Sequence, residues 1–395
     1  MRIPLSAPEI SQEDIDAVAA VLRTPHLSLG PKLEEFEGAI ACYIGAAHAI
    51  GVSSGTAGLH LCIRALGIGE GDEVIVPSFA FIAVANAVRY EKAIPVFADI
   101  EPEKLNLDPS RITAAITSRT KAILVVHTFG CPADLAAILE IARRHHLCVI
   151  EDACEAIGAE FDGRKVGGWG DAGVFAFYPN KQITTGEGGM VVTENPRIAA
   201  MVRTLRNQGR TDSDEWFQHS EIGYNYRLPE MSCALGISQL KRIDAMLARR
   251  EEIAGRYNAK LRGIENLRLP ALEVPRRKLS WFVYVVRLSG TFSQIHRDWI
   301  MNEMHRRGIG CGRYFAPIHR QPAYRSACGP TADLRVTEFE ASRCLALPFF
   351  NRLQDEQIDE VCGNLSELLQ AAGSRAMEES SANSAAGFLA GNSRD

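Results

Sequence analysis

Short, continuously apolar runs alternate with stretches in which apolar positions recur at the spacing of one helical face over roughly the first half of this chain. The pattern predicts strands near Ala49, Asp72, Ala93, Lys121 and Leu147, with helices starting at Thr56, Ala83, Pro109 and Asp134 between them. Runs with no polar alternation suit strands buried on both faces. Regular strand–helix alternation predicts a mainly parallel sheet wrapped by helices, an α/β fold. Gly189–Thr193 adds a further strand. Beyond it, helical spacing runs from Pro229 through Leu235, Leu240, Ile243 and Leu247 to Tyr257, reading as one long helix that leads into a smaller unit. Trp281–Val286 is the clearest later strand and Phe292–Arg307 the clearest later helix. The expected organisation is a large domain over 1–249 and a smaller C-terminal α+β domain over 250–370. The tail 371–395, rich in small and polar residues, reads as disordered.

Composition narrows the class without changing this picture. The 395 residues are 46% apolar and 23% charged with a formal net charge of −5, so the chain can bury a large core and has no basic footprint for nucleic acid. No run reaches the length of a membrane span, and the N-terminus lacks a signal-type apolar segment, so a cytoplasmic protein is expected. The ten cysteines, Cys328 among them, are scattered without a CxxC pair, which predicts reduced thiols and no metal site.

The chemistry concentrates in Phe175–Gly189, FAFYPNKQITTGEGG, which places Lys181 between an apolar strand and a glycine-rich turn. An amine withdrawn from water at a strand end gives up its proton more readily and can form a Schiff base, so an aldehyde cofactor is the expected partner. Pyridoxal 5'-phosphate acts as an electron sink while its ring nitrogen stays protonated, which a facing carboxylate ensures. Asp152 ends the apolar run Leu147–Ile150 at the edge where open α/β sheets bind ligands. Alone, Lys181 fits a solvated loop lysine and Asp152 a helix cap. A phosphate site in the same chain makes the joint reading the stronger one.

That site is SSGTAG, Ser53–Gly58, a strand-to-helix turn whose free N–H groups and dipole attract an anion, with Thr56 and Ala57 as expected contacts. A simple serine or threonine cap would also produce it. Pro77–Phe81 leaves the sheet at the same edge. Phe81 rather than Phe79 is the aromatic expected to stack on the cofactor ring, core packing being the other use of either.

The motifs SSGTAGLHL, VPSFAFIAVANAV, PVFADIEP, VVHTFG, IEDACEAIGA, FYPNKQITTGEGG, GYNYRLPEMSCALGISQL and YFAPIHRQPAY stand in the order and spacing of one family. The chain, over residues 3 to 370, resembles the DegT/DnrJ/EryC/StrS sugar aminotransferases, and within them the subgroup making perosamine and related 4-amino sugars. The resemblance implies the fold of the type I pyridoxal phosphate transferases. Lys181 is then the cofactor lysine, Asp152 the ring-nitrogen partner, Phe81 the stacking ring, and Thr56 and Ala57 the phosphate contacts. It also implies a homodimer with shared sites, Asn225 and Arg227 of GYNYRL reaching the phosphate of a neighbouring subunit, and His319 near a sugar-nucleotide entrance.

Two positions depart from the family pattern. Ala176 stands where many relatives carry a phosphate-binding serine, removing a hydrogen bond to a charged group worth roughly 1.5–3 kcal/mol. Glu155 stands where glutamine or histidine is common, beside the expected cofactor oxygen, and is therefore either protonated or turned toward substrate. The implied activity transfers an amino group from L-glutamate to a nucleotide-linked keto sugar, with Lys181 moving the proton in both directions. A 3-keto sugar aminotransferase, a sugar dehydratase and a regulatory cofactor-binding protein are the alternatives. Relatives that dehydrate replace the lysine by histidine, so Lys181 favours transamination.

Overall fold

The computed structural model describes residues 1–391 apart from 212, 291 and 326–332, with side chains as far as Ser374. Strands β1 (His48–Val52), β2 (Glu73–Pro77), β3 (Ile94–Ala98), β4 (Thr120–Val126), β5 (Cys148–Asp152), β6 (Glu160–Phe161), β7 (Arg164–Lys165), β8 (Ala172–Ala176) and β9 (Gly189–Thr193) precede β10 (Leu267–Arg268), β11 (Arg277–Lys278), β12 (Tyr284–Leu288) and β13 (Cys344–Leu347). The helices are α1 (Gln12–Leu22), α2 (Pro31–Ile44), α3 (Gly55–Ala65), α4 (Ala83–Tyr90), α5 (Pro109–Ala115), α6 (Leu135–His145), α7 (Pro196–Arg206), α8 (Glu230–Leu240), α9 (Ile243–Leu261), α10 (Gln294–Arg306), α11 (Arg335–Ala341) and α12 (Asp355–Gly391).

The main sheet has seven strands in the order β1-β9-β8-β5-β4-β2-β3. Strands β3, β2, β4, β5 and β8 run parallel, and β9 is antiparallel to both its neighbours. β1 therefore points the same way as β8, and the carboxyl ends of β1, β2, β4, β5 and β8 share one edge. The continuous apolar runs arise because both faces are covered: Ile123 and Val125 of β4 enter one core with Phe36, Ile40 and Phe175, while Leu124 and Val126 enter another with Leu59, Leu61 and Val191.

Close approach explains two glycines. A Cβ on Gly189 would stand 2.6 Å from the Ser54 carbonyl, and one on Gly55 2.8 Å from both the Ala176 Cβ and the Cys154 Sγ. The start of α3 is thus pressed onto the ends of β8 and β9.

β10, β12 and β13 form a second sheet, and its core joins Ile253, Tyr257, Tyr284, Val286, Ile300, Leu345, Leu347, Val361 and Leu365. Ile3 packs in the same core, its backbone bonded to Gly308 and Gly310 at 3.0 and 2.8 Å, so the first residues lie with C-terminal ones.

Three expectations change in detail. The single long helix is broken at Arg242 (φ −110°, ψ 6°), which turns to pair with Asp14 at 2.7 Å and Glu9 at 3.2 Å. The later strand expected from Trp281 starts at Tyr284. The tail read as disordered continues α12 through Gly391, while 392–395 lie outside the described residues. It contains no proline and repeated alanine, so extending an already packed helix needs only propagation and no new nucleus. Nine cysteines are unpaired thiols, and Cys328 lies outside the described residues.

Candidate active site

Lys181 lies five residues past the end of β8, on a loop closed at its base rather than on the strand itself. Phe177 N–H donates to the Gly188 carbonyl at 3.0 Å, and the Phe177 carbonyl accepts from Thr185 N–H at 3.0 Å and Thr184 Oγ1 at 2.9 Å. Next to the lysine, Gln182 Nε2 donates to the Glu155 carbonyl at 2.7 Å and to the Ser280 carbonyl at 3.0 Å. Buried Arg250 donates to the carbonyls of Lys181, Trp281 and Phe282 at 3.3, 3.3 and 3.1 Å. These bonds fix the lysine backbone from two other parts of the chain.

The Lys181 side chain is 14% exposed, with Nζ 3.8 Å from Glu155 Oε1 and 4.0 Å from the centre of the Phe282 ring. Glu155 Oε2 accepts the Phe129 N–H at 2.9 Å, and Phe129 has a left-handed backbone (φ 57°) that turns this N–H inward. Burial pushes the Glu155 carboxyl up to about 7. The Lys181 charge and the Phe129 N–H oppose that rise, and the negative charge of Asp152 reinforces it. Tyr314 completes the wall, its phenol pushed up to about 12 by burial and by the Glu155 charge, with Asn180 beside it.

Asp152 is buried at the carboxyl end of β5, one oxygen accepting Cys154 N–H at 3.0 Å. Its neighbour Glu151 points to the opposite face, as strand alternation requires. There it accepts N–H groups of Gly167, Trp169 and Gly170 at 2.8, 2.6 and 2.8 Å and pairs with His127 at 3.0 Å. Glu151 thus shapes a loop, and Asp152 is the carboxylate facing the edge of the sheet.

At the start of α3, the Ser54 hydroxyl accepts the Ala57 N–H at 3.1 Å. The donors that helix geometry itself leaves open there are those of Gly55 and Thr56, whereas Ala57 is already capped. Phe81 is 62% exposed at the end of β2, whereas Phe79 is fully buried against Phe129 and Phe315. The free ring is that of Phe81.

Asn225 is exposed between two inward-turned tyrosines and bridges to Asn207, whose side-chain oxygen accepts from Arg227 at 3.0 Å. Its segment lies against its own chain's phosphate turn, the Tyr226 carbonyl accepting Ser53 N–H at 2.8 Å. His319 is buried with both ring nitrogens engaged, Nδ1 to Ser78 at 2.7 Å and Nε2 to Glu338 at 3.0 Å. A sugar would reach that imidazole by displacing one of those partners.

Phe282, Phe129, Tyr314, Gln182 and Arg250 were not singled out from sequence. Phe282 and Tyr314 stood inside the quoted strand WFVYVV and the motif YFAPIH, while Arg250 carries no local signal. Among the described residues no group of three His, Cys, Asp or Glu side chains could hold a metal ion.

The Oδ1 of Asn180 and the Oε1 of Gln182, on either side of the lysine, are buried without a hydrogen-bond partner among the described residues. These two acceptors are open to a hydroxyl or amino group of a bound molecule, while the amine, with its counter-charge 3.8 Å away, and an anion-seeking helix start on the same sheet edge suit a carbonyl and a phosphate. The residues present fit pyridoxal phosphate, and they define an α/β enzyme that performs amine–carbonyl exchange. The chain belongs to the DegT/DnrJ/EryC1/StrS aminotransferase family, which it matches over residues 8–366, and it is an aminotransferase dependent on pyridoxal phosphate.

It is 42% identical to the GDP-perosamine synthase of Caulobacter vibrioides over 370 residues, 93% of this chain and 98% of that one. The solved aminotransferase TlmJ of Streptoalloteichus hindustanus superposes with a TM-score of 0.88 at 32% identity, covering 93% of this chain and 99% of that one. PseC of Helicobacter pylori, an aminotransferase involved in the biosynthesis of pseudoaminic acid, superposes with a TM-score of 0.90 at 29% identity, covering 94% of this chain and 100% of that one.

Proposed function

We propose that this protein transfers the amino group of L-glutamate to the keto carbon of a nucleotide-linked 4-keto-6-deoxy sugar, in a homodimer with shared sites. The observation that carries the reading is Lys181, fixed through its backbone and its neighbour Gln182 while its amine stands beside Glu155 and the face of Phe282. Likeness to a GDP-perosamine synthase supports the sugar and the carbon aminated.

Bound pyridoxal phosphate supplies an electron-withdrawing ring that acidifies the carbon next to the transferred nitrogen. Lys181 removes the α-proton of glutamate, holds it on Nζ and returns it one carbon along, then repeats the transfer in reverse for the sugar. Asp152 keeps the proton on the cofactor ring nitrogen. Glu155, its carboxyl pushed up to about 7 by burial, stands next to the base as a second group able to hold a proton. Phe81 would cover the cofactor ring, and Gly55 and Thr56 would receive its phosphate.

For the shared site, the support is surface chemistry. Trp216, Phe217 and Ile222, just ahead of Asn225, are 76, 80 and 82% exposed in the lone chain, an apolar set that a second copy would cover.

The test is incubation of the holoenzyme with glutamate and GDP-, UDP- or dTDP-linked 4-keto-6-deoxy sugars, read by mass spectrometry. An amino sugar and 2-oxoglutarate in equal amounts are expected with one of them. Amination of a 3-keto sugar alone would move the carbon assignment, and 2-oxoglutarate from none would overturn the reading.

A further inference from the structure

Around Asn225 the chain builds a cluster that the cofactor chemistry does not use. The rings of Tyr224 and Tyr226 stack with centroids 5.0 Å apart and planes 11° apart, and both are partly buried while Asn225 between them is exposed. His60, buried in the middle of α3, presents its edge to both, at 4.7 and 5.9 Å. Its Nδ1 meets the Tyr226 hydroxyl at 3.3 Å and its Nε2 meets Glu91 Oε1 at 2.7 Å. The same Glu91 oxygen accepts from the Tyr224 hydroxyl at 3.0 Å, and the other accepts from Arg64 at 3.1 Å. Both phenols are therefore tied to one buried carboxylate–imidazole pair standing on α3 and the end of α4.

The backbone is tied at the same points. Tyr224 N–H donates to the Leu205 carbonyl at 2.6 Å, Tyr226 N–H to Arg206 at 3.0 Å, and Ser53 N–H to the Tyr226 carbonyl at 2.8 Å. An exposed asparagine between two residues pinned on both sides has little freedom to change register, since a shift by one would turn the tyrosines outward.

We propose that Tyr224, Tyr226, His60 and Glu91 form a buckle that positions Asn225 for the phosphate of the cofactor bound by a second copy. The inference rests on the shared-site reading above. It adds that the helix receiving the phosphate in one site also holds the segment lent to the other. The buckle residues act through Asn225 and are positioning residues.

An asymmetric mixing experiment tests it. Lys181→Ala and Asn225→Ala chains are mixed, so that live sites combine Lys181 of one chain with Asn225 of the other. Tyr224→Phe, which keeps the stack and removes the bond to Glu91, is then placed on either chain. The readout is the amount of pyridoxal phosphate that borohydride fixes on Lys181 as cofactor concentration is varied, which needs no turnover. On the Lys181→Ala chain, the donor of Asn225, the half-saturating concentration should rise about fivefold, a part of the worth of one hydrogen bond to a carboxylate because it acts only through Asn225. On the Asn225→Ala chain it should stay unchanged. Equal shifts in both placements, or none in either, would overturn the buckle. Failure of the parent mixture to bind above the level of Asn225→Ala alone would refute the shared site. Tyr224→Phe and Glu91→Gln in the otherwise native chain then decide the buckle: an unchanged half-saturating cofactor concentration overturns it, and a matching rise in that concentration at constant apoprotein melting temperature upholds its positioning role within one chain.

Discussion

At the scale of single residues, Glu155 is where opposing demands meet. Burial raises its ionisation from the ordinary 4.5 to about 7, despite Lys181 and the Phe129 N–H. Between those values the folded protein holds a proton that the unfolded chain has released, so this residue's contribution to stability declines as pH rises through that window and is lost above it. Glu155→Gln keeps the acceptor for Phe129 and removes the titration. In urea unfolding of the apoprotein, the variant should gain on its parent by on the order of 3 kcal/mol between acid and mildly alkaline pH. A pH-independent difference between the two proteins would refute this. Asp152 makes a second, separable prediction. Asp152→Asn should lower kcat by on the order of 10²-fold or more while borohydride still fixes cofactor on Lys181, because the ring-nitrogen partner affects the electron sink and not the attachment. Unchanged kcat would remove Asp152 from its assigned role.

At the scale of elements, the site depends on strand ends meeting one helix start. Ala176, at the end of β8, lies so near the first turn of α3 that a Cβ on Gly55 would come within 2.8 Å of its methyl. Ala176→Ser should therefore aim a hydroxyl at the phosphate position and tighten cofactor binding by roughly ten- to a hundredfold, measured by equilibrium dialysis. An unchanged dissociation constant would mean that the phosphate is held from another side. Lys181, Asp152, Glu155 and the SSGTAG turn were legible in sequence because each follows an apolar run, and parallel strands deliver their carboxyl ends to one edge. Phe282 and Arg250 were not. Their contacts with Lys181 join segments far apart in the chain, and the same apolar run that reads as strand in WFVYVV supplies a loop residue before β12. The break between α8 and α9 was hidden for a similar reason: apolar spacing continues across it, and the turn is made by Arg242 reaching Asp14.

At the scale of the whole molecule, packing explains where the C-terminal helix is held. Helix α12 buries Ile358, Val361, Leu365, Leu368, Leu369 and Ala372 in the core shared with Tyr257, Tyr284 and Ile3. That seam fixes the helix, and the alanine-containing sequence beyond it follows by propagation. Stability should then depend on where a truncation falls relative to the seam. Ending the chain after Ser374 retains every one of those apolar side chains, so the melting temperature and kcat should match those of the full chain. Ending it after Glu360 removes Val361, Leu365, Leu368, Leu369 and Ala372 together. Losses of about 2–5 kcal/mol for each large side chain exceed the net stability of most domains, so that product should not fold cooperatively. Calorimetry of the two truncations separates the cases: a marked drop in melting temperature for the shorter deletion would show that residues beyond Ser374 carry packing of their own, and a sharp transition in the longer one would show that the seam is not what holds the C-terminal core.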